Sequence, residues 1–257
     1  MSAEAGGKRV EVKFELRAGN RSIEASASIP AAPLRPVDLL PVLHAFDEAF
    51  IGMVTVQAEE QGRKISCRAG CGACCRQLAP VSESEAWYLA DLVASMPPER
   101  QARVRRRFEE ALAELARHGM LERLRNACEE LKDLDVRRAF GMEYFKLHIA
   151  CPFLEDESCS IHPWRPMSCR EYLVSSPAIN CATPRPDNIE RVGLPARFSE
   201  ILFCFGDGAG NEATRWLPLA LALEWAAAHD RASQPARPGP ELFRSFVAQV
   251  AAVPDQR

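Results

Sequence analysis

Four cysteines stand within nine residues, Cys67-Arg68-Ala69-Gly70-Cys71-Gly72-Ala73-Cys74-Cys75, in the spacing Cys-x3-Cys-x2-Cys-Cys. Core packing does not call for thiols at that density. Thiolates two or three residues apart on a Gly-rich loop can converge on one ion, and Gly70 and Gly72 supply the backbone freedom. A second set comprises Cys151, Cys159 and Cys169, with Cys181, in a Pro-rich loop, as the candidate for its fourth member. Neighbouring side chains diverge, so Cys74 and Cys75 are awkward ligands for a single tetrahedral ion. The simplest arrangement has one of them serving a first site and the other facing a second. Eight thiolates over two sites suit two zinc ions with four thiolates each, or iron–sulfur chemistry. A zinc ion held by four thiolates carries excess negative charge, which Arg68, Arg76, Arg165 and Arg170 beside the ligands can offset.

Composition narrows the setting. The chain has 257 residues, enough for one large domain or two small ones, and ten cysteines in all. Hydrophobic residues at 47% and charged residues at 26% exclude wholesale disorder and fibrous architectures. A net charge of −3 argues against a life on nucleic acid or anionic lipid. No apolar stretch follows the charged N-terminal residues as a secretory signal would require. The run Leu217 to Leu223 is stopped by Glu224, too short to span a bilayer. The expectation is a soluble, cytoplasmic protein without membrane or nucleic-acid partner. There thiols stay reduced and serve metal or redox chemistry rather than disulfides.

Patterning predicts a mainly α protein with an N-terminal β-hairpin and two irregular cysteine-bearing loops. Val10, Val12, Phe14 and Leu16 alternate with polar residues, as do Ile23, Ala25, Ala27 and Ile29, across a Gly19-Asn20 turn. Leu39, Leu43, Phe46, Phe50 and Val54 recur at helical spacing over 38–60. Ser82 with Glu85 forms a capping box for a helix carrying Ala86, Leu89 and Val93. After Pro97-Pro98, Val104, Phe108, Ala111, Leu112 and Leu115 mark another helix, ending near Gly119. Leu121, Leu124, Cys128, Leu131 and Leu134 form a third stripe. Six prolines between 151 and 186 leave little regular structure there. Helices are predicted over Thr214–His229 and Glu241–Ala251. The expected division is a hairpin and linker over 1–36 and a helical domain over 37–257. That domain has its metal-binding core at 63–185 and C-terminal helices at 198–257.

The motif resembles a known family. Cys-x3-Cys-x2-Cys-Cys, then Cys-Pro-Phe-Leu, then Cys-x-Ile-His-x2-Arg-Pro-x2-Cys-Arg-x-Tyr is similar to the YkgJ-type cysteine-cluster family, described as zinc- or iron-chelating. The resemblance spans residues 67 to 181. It implies a ligand role for Cys67, Cys71, Cys74, Cys75, Cys151, Cys159, Cys169 and Cys181, and zinc or iron (including a 4Fe–4S cluster) as cofactor. His162 stands where members often have tyrosine. The resemblance extends to flagellin lysine N-methylases, which implies iron–sulfur and S-adenosylmethionine chemistry as an alternative to a non-enzymatic metal-binding protein. Metal storage or delivery is a third reading. The spacing Cys67-x3-Cys71-x2-Cys74 also equals the cluster loop of radical S-adenosylmethionine enzymes. Ala73, however, replaces their usual aromatic residue, and no alternation of strands and helices predicts their barrel.

The remaining candidates have plainer readings. Cys128 and Cys204 sit in apolar contexts and read as core residues. Glu155, Asp156 and Glu157 read as a turn, and the arginines of 103–107 as the solvated face of a helix. No His-Glu-x-x-His and no Gly-x-Gly-x-x-Gly after a strand is present, so no catalytic residue is assigned.

Overall fold

Alternating apolar residues at the N-terminus form an antiparallel pair, β1 (Arg9–Ala18) and β2 (Arg21–Pro30), with Val12 opposite Ala27 and Leu16 opposite Ile23. The computed structural model describes residues 7–18, 21–185, 187–206 and 215–253, so the Gly19-Asn20 turn lies outside the described residues. A short strand, β3 (Pro33–Leu34), leads into α1 (Pro36–Glu60). Pro36 suits the first helical turn, where its missing N–H costs no hydrogen bond. Leu39, Leu40, Leu43 and Phe50 on α1 are at most 1% exposed. By length and composition alone α1 could span a bilayer, with a mean hydropathy of 1.5; in this fold it is the core helix.

The capping box forms as predicted. Strand β4 (Pro80–Ser82) ends at the N-cap of α2 (Glu83–Ala94), where Ser82 Oγ accepts the Glu85 N–H at 3.1 Å and Glu85 Oε2 accepts the Ser82 N–H at 2.8 Å. The next helix, α3 (Pro98–Arg117), buries Val104, Phe108, Ala111 and Leu115, and Gly119 takes the left-handed conformation (φ 67°) that stops it.

The predicted stripe over 121–134 divides. Two short helices, α4 (Leu121–Arg125) and α5 (Ala127–Glu130), break at Asn126, and Leu134 is 52% exposed at the start of α6 (Leu134–Lys146). Asp133 is the cause: its Oδ1 accepts the N–H groups of Asp135 and Val136, restarting the helix there and turning Leu134 outward.

The proline-rich region holds a small hairpin, β5 (Leu154–Glu155) with β6 (Ser158–Cys159), and one turn of helix, α7 (Met167–Arg170). After α8 (Phe198–Phe203), the helix predicted from Thr214 (a residue outside those described) is replaced by β7 (Trp216–Pro218), a 3-10 turn and α9 (Ala222–Ala228). Pro218 lacks an N–H and disfavours helix at Leu217 before it, so Trp216 and Leu217 pair with β4 instead. A last strand, β8 (Arg237–Pro238), pairs with β3 and precedes α10 (Gly239–Ala252).

Two apolar clusters result. The first joins the β1–β2 hairpin, α1, α8 and α10 through Leu16, Ile29, Leu43, Phe198, Phe243 and Phe246. The second joins α2, α3, α4 and the β4–β7 pair through Leu89, Val104, Leu124, Trp216 and Leu217. Cys67 packs against the first cluster, and Cys151 and Cys159 pack against the second. The cysteine loops therefore sit where the two cores meet.

Candidate metal centre

The first loop is a series of tight turns. Cys71 N–H donates to Arg68 O (3.2 Å), Cys75 N–H to Gly72 O (2.9 Å) and Gln77 N–H to Cys74 O (3.0 Å). Gly70 adopts φ +84°. Gly72 lies where the two cysteine segments touch: a Cβ there would overlap Glu157 O and lie 2.5 Å from Leu154 Cδ1. Beside it Cys151 N–H donates to Cys75 O at 2.7 Å. Asp156 and Glu157 form the tip of the β5–β6 hairpin at φ 48° and 55°, the turn read from the sequence. Arg76 pairs with Glu157, and Arg107 of α3 with Glu155 at 2.9 Å. Arg107 thus corrects the reading of 103–107 as wholly solvated, since it reaches across to the hairpin.

The last part of the cysteine segment folds back onto Cys67 and Gln77. Cys67 Sγ accepts the Val174 N–H at 3.4 Å and donates to Tyr172 O at 3.5 Å. Gln77 Nε2 donates to Tyr172 Oη and to Cys181 O, and the Tyr172 side chain also hydrogen-bonds the Cys181 thiol. Cys181, the candidate fourth member of the second set by sequence, is buried beside the first loop.

Electrostatics sharpen this grouping. All ten cysteines are free thiols. Burial raises Cys67, and Cys74 and Cys71 raise it further. Burial, then Cys74, Cys67 and Cys71, push Cys181 to about 11. On the other side, burial pushes Cys151 to about 12, with Cys159 and Cys74 adding to the shift. Cys169 is raised by burial, then by Cys151, Cys74 and Cys159. Cys75 is raised because its thiol donates to Cys74, then by burial and by Cys151. The same hydrogen bond lowers Cys74 to about 7, against the effect of burial and with help from Arg165. The leading influences therefore gather Cys67, Cys71 and Cys181 on one side and Cys75, Cys151, Cys159 and Cys169 on the other. Cys74 lies between and acts on both. As placed, no three His, Cys, Asp or Glu side chains among the described residues form a ready group for an ion. Thiols must lose their protons to ligate, so metal binding and closure of such loops are one event.

The arginines divide by role. Arg165 acts electrostatically on Cys67, Cys74, Cys159 and Cys169, and so faces both thiol groups. Arg170 turns away: its Nε donates to Arg165 O at 2.9 Å, its Nη2 donates to Pro163 O, and its Nη1 lies 3.7 Å from Glu48. The donor set of clustered free thiols with a shared guanidinium fits a thiolate-bound zinc or iron centre.

Behind the loops lies a buried polar layer that sequence reasoning missed. Glu85 Oε1 accepts the Met167 N–H at 2.8 Å, so the capping carboxylate of α2 also caps the helix bearing Cys169. Glu171 accepts the N–H and the hydroxyl of Ser199 and caps α8. Asp47 on α1 is 0% exposed with both oxygens unpartnered, and His44, one turn earlier, has an unpartnered buried Nε2. Burial raises Asp47 to about 8, and Glu171 adds to the shift. Burial lowers His44 to about 3, with Arg170 adding to it. A signal for Asp47 was present in the sequence: it falls on the same stripe as Leu43, Phe50 and Val54.

Residues 66–188 match the model of a protein family named CxxCxxCC and described as "Putative zinc- or iron-chelating domain". That stretch, just under half of the chain, is similar to the CxxCxxCC domain. No curated protein and no solved structure matches the chain. The matched stretch contains both cysteine loops and helices α2 to α6 between them. Its first interval here, Cys67-x3-Cys71, is one residue longer than the family name spells out. Cys128 lies within that stretch but turns to β7, donating to Trp216 O at 2.7 Å and accepting the Trp216 N–H at 3.1 Å. Cys204 lies outside it.

Proposed function

We propose that the CxxCxxCC domain holds two metal ions in cysteine-only sites, one on Cys67, Cys71, Cys74 and Cys181 and the other on Cys75, Cys151, Cys159 and Cys169. The observation that carries this reading is the exchange between the two sequence groups. Cys181 lies with the first loop, whereas the Cys75 backbone is tied to Cys151 and its thiol responds to Cys151 and Cys159. Each set then contains four thiols, the complement of a closed tetrahedral site. In this reading adjacent Cys74 and Cys75 serve different sites, and the hydrogen bond between their thiols gives way when both ligate.

In this reading the metals are structural zinc. Each ion fastens chain segments far apart in sequence, and Arg165 offsets thiolate charge at both sites. Closed four-thiolate spheres contribute folding free energy directly and leave no open position for a substrate. A reducing, cytoplasmic setting that keeps the thiols free belongs to the same proposal.

Elemental analysis with an optical spectrum, on protein purified without oxygen, tests it. Two equivalents of zinc and no visible charge-transfer band is the expected result. Iron with a broad visible band would replace structural zinc by an iron–sulfur centre and bring redox or S-adenosylmethionine chemistry forward. Folded, reduced protein without metal would overturn the proposal.

A further inference from the structure

Between α6, α8 and the β4–β7 pair lies a cavity of about 130 Å³, lined by Leu78, Pro80, Arg137, Gly141, Phe203 and Trp216. Four of these residues present apolar surface, and Arg137 alone is charged. The space exists because Gly141 stands one turn after Arg137 on α6: a Cβ built there would meet nothing within 4 Å. Glycine is among the poorest residues for a helix interior, and here it leaves a recess that opens to solvent beside the exposed Arg137.

The walls are held in place. Trp216 is fixed through its backbone by Cys128 and by pairing with Ser82. The Arg137 guanidinium lies 5.9 Å from the Trp216 ring, and its Nε and Nη2 donate to the carbonyls of Leu131 and Lys132 at 3.0 and 3.3 Å. Among the described residues Arg137 makes no ion pair. A positioned guanidinium without a carboxylate beside an apolar recess is the arrangement that recognises a small organic anion: the Nη1 group and the second Nη2 hydrogen remain to donate to a carboxylate, and the recess takes the hydrocarbon.

We propose that this cavity binds a small carboxylate whose apolar body is about the size of a benzene ring. Size sets that limit, since an apolar cavity of roughly 150 Å³ accommodates benzene. The carboxylate rests on Arg137 and the body on Trp216 and Phe203. This inference is independent of the metal sites.

Calorimetric titration of the full, metal-loaded chain with benzoate tests it, with benzamide as the uncharged comparison. Saturable benzoate binding is expected, at least tenfold tighter than benzamide. Gly141→Leu fills the cavity from a better helix former and should abolish binding while keeping the melting temperature and metal content. Arg137→Met keeps the apolar stem and should weaken benzoate at least tenfold with benzamide unchanged. Two results overturn the proposal: no saturable benzoate binding, or undiminished binding in folded Gly141→Leu. Equal binding of benzoate and benzamide overturns the anion assignment.

Discussion

Arg76 and Glu157 meet in a two-pronged ion pair, Nη1 to Oε2 at 2.9 Å and Nη2 to Oε1 at 2.6 Å, across 81 residues of chain. The pair joins the residue after Cys75 to the tip of the β5–β6 hairpin, over the point where Gly72 touches that hairpin. Its acid end is well exposed, so the pair directs the approach of the loops more than it stabilises them. Close fit at Gly72 is the stronger constraint.

Gly72→Ala should therefore separate the loops. Its Cβ would overlap the Glu157 carbonyl and Leu154, and relief requires backbone movement. A loss of about 1–3 kcal/mol in urea-unfolding stability is expected, as for overpacked cores, together with loss of metal. Gly70→Ala meets no neighbour and is strained only through its φ of +84°. It should cost about 1 kcal/mol and retain metal. Equal metal retention by the two variants would contradict this account of the contact.

Single cysteine variants test the two sets separately. Cys181→Ser and Cys169→Ser should each reduce bound metal from two equivalents to one, by removing a ligand from different sites. Cys128→Ser should keep both metals, since its thiol serves the Trp216 backbone. Loss of both ions from either ligand variant would favour a single shared cluster centred on Cys74.

Glu85 carries two helix starts, and its variants should separate from those of an ordinary cap. Ser82→Ala removes the bond from the Glu85 N–H and the hydroxyl's own bond to Glu85 Oε2, and should cost about 1 kcal/mol. Glu85→Ala also leaves the N–H groups of Ser82 and Met167 without their acceptor in a buried site. A cost of about 3 kcal/mol follows, with earlier metal release on urea titration because Cys169 sits on α7.

Stability should also depend on pH through α1. Asp47 rises from 3.8 to about 8 on folding, so the folded chain holds a proton that the unfolded chain gives up. Stability contributed below pH 4 is therefore lost as pH climbs toward 8. His44 falls from 6.5 to about 3, so its contribution is full above 6.5 and is lost as pH falls below that. Glu171 and Glu85, also raised by burial, share the layer with Asp47 and slope the same way. Asp47→Asn should flatten the alkaline limb, giving a melting temperature that falls less between pH 5 and pH 8 than the parent's. An unchanged slope would remove Asp47 from the explanation.

Much of this architecture is legible in the chain where a local rule acts alone. Alternation at Val10–Leu16 placed the hairpin, Ser82 with Glu85 placed α2, and the thiol spacing located the loops. The misses occur where two rules compete. Asp133 outranks the apolar stripe that Leu134 would have continued, and Pro218 outranks the helical run that follows it. Spacing grouped Cys181 with Cys169, whereas Cys181 contacts Gln77 and Tyr172, because sequence distance says nothing about how those two residues fold one loop back on another. Long-range pairs such as Arg107 with Glu155 carry no local signature.

The arrangement of the first core also bears on how the chain is made. Its apolar surface comes from the β1–β2 hairpin and α1 at one end of the sequence and from α8 and α10 at the other. Translation delivers these pieces in order, so the cysteine segment emerges while α1 still lacks the helices that cover it. For that interval a 25-residue helix as apolar as a bilayer span has the hairpin against it but neither α8 nor α10. The nascent chain is thus most in need of a chaperone late in synthesis, until Phe243 and Phe246 clear the ribosome.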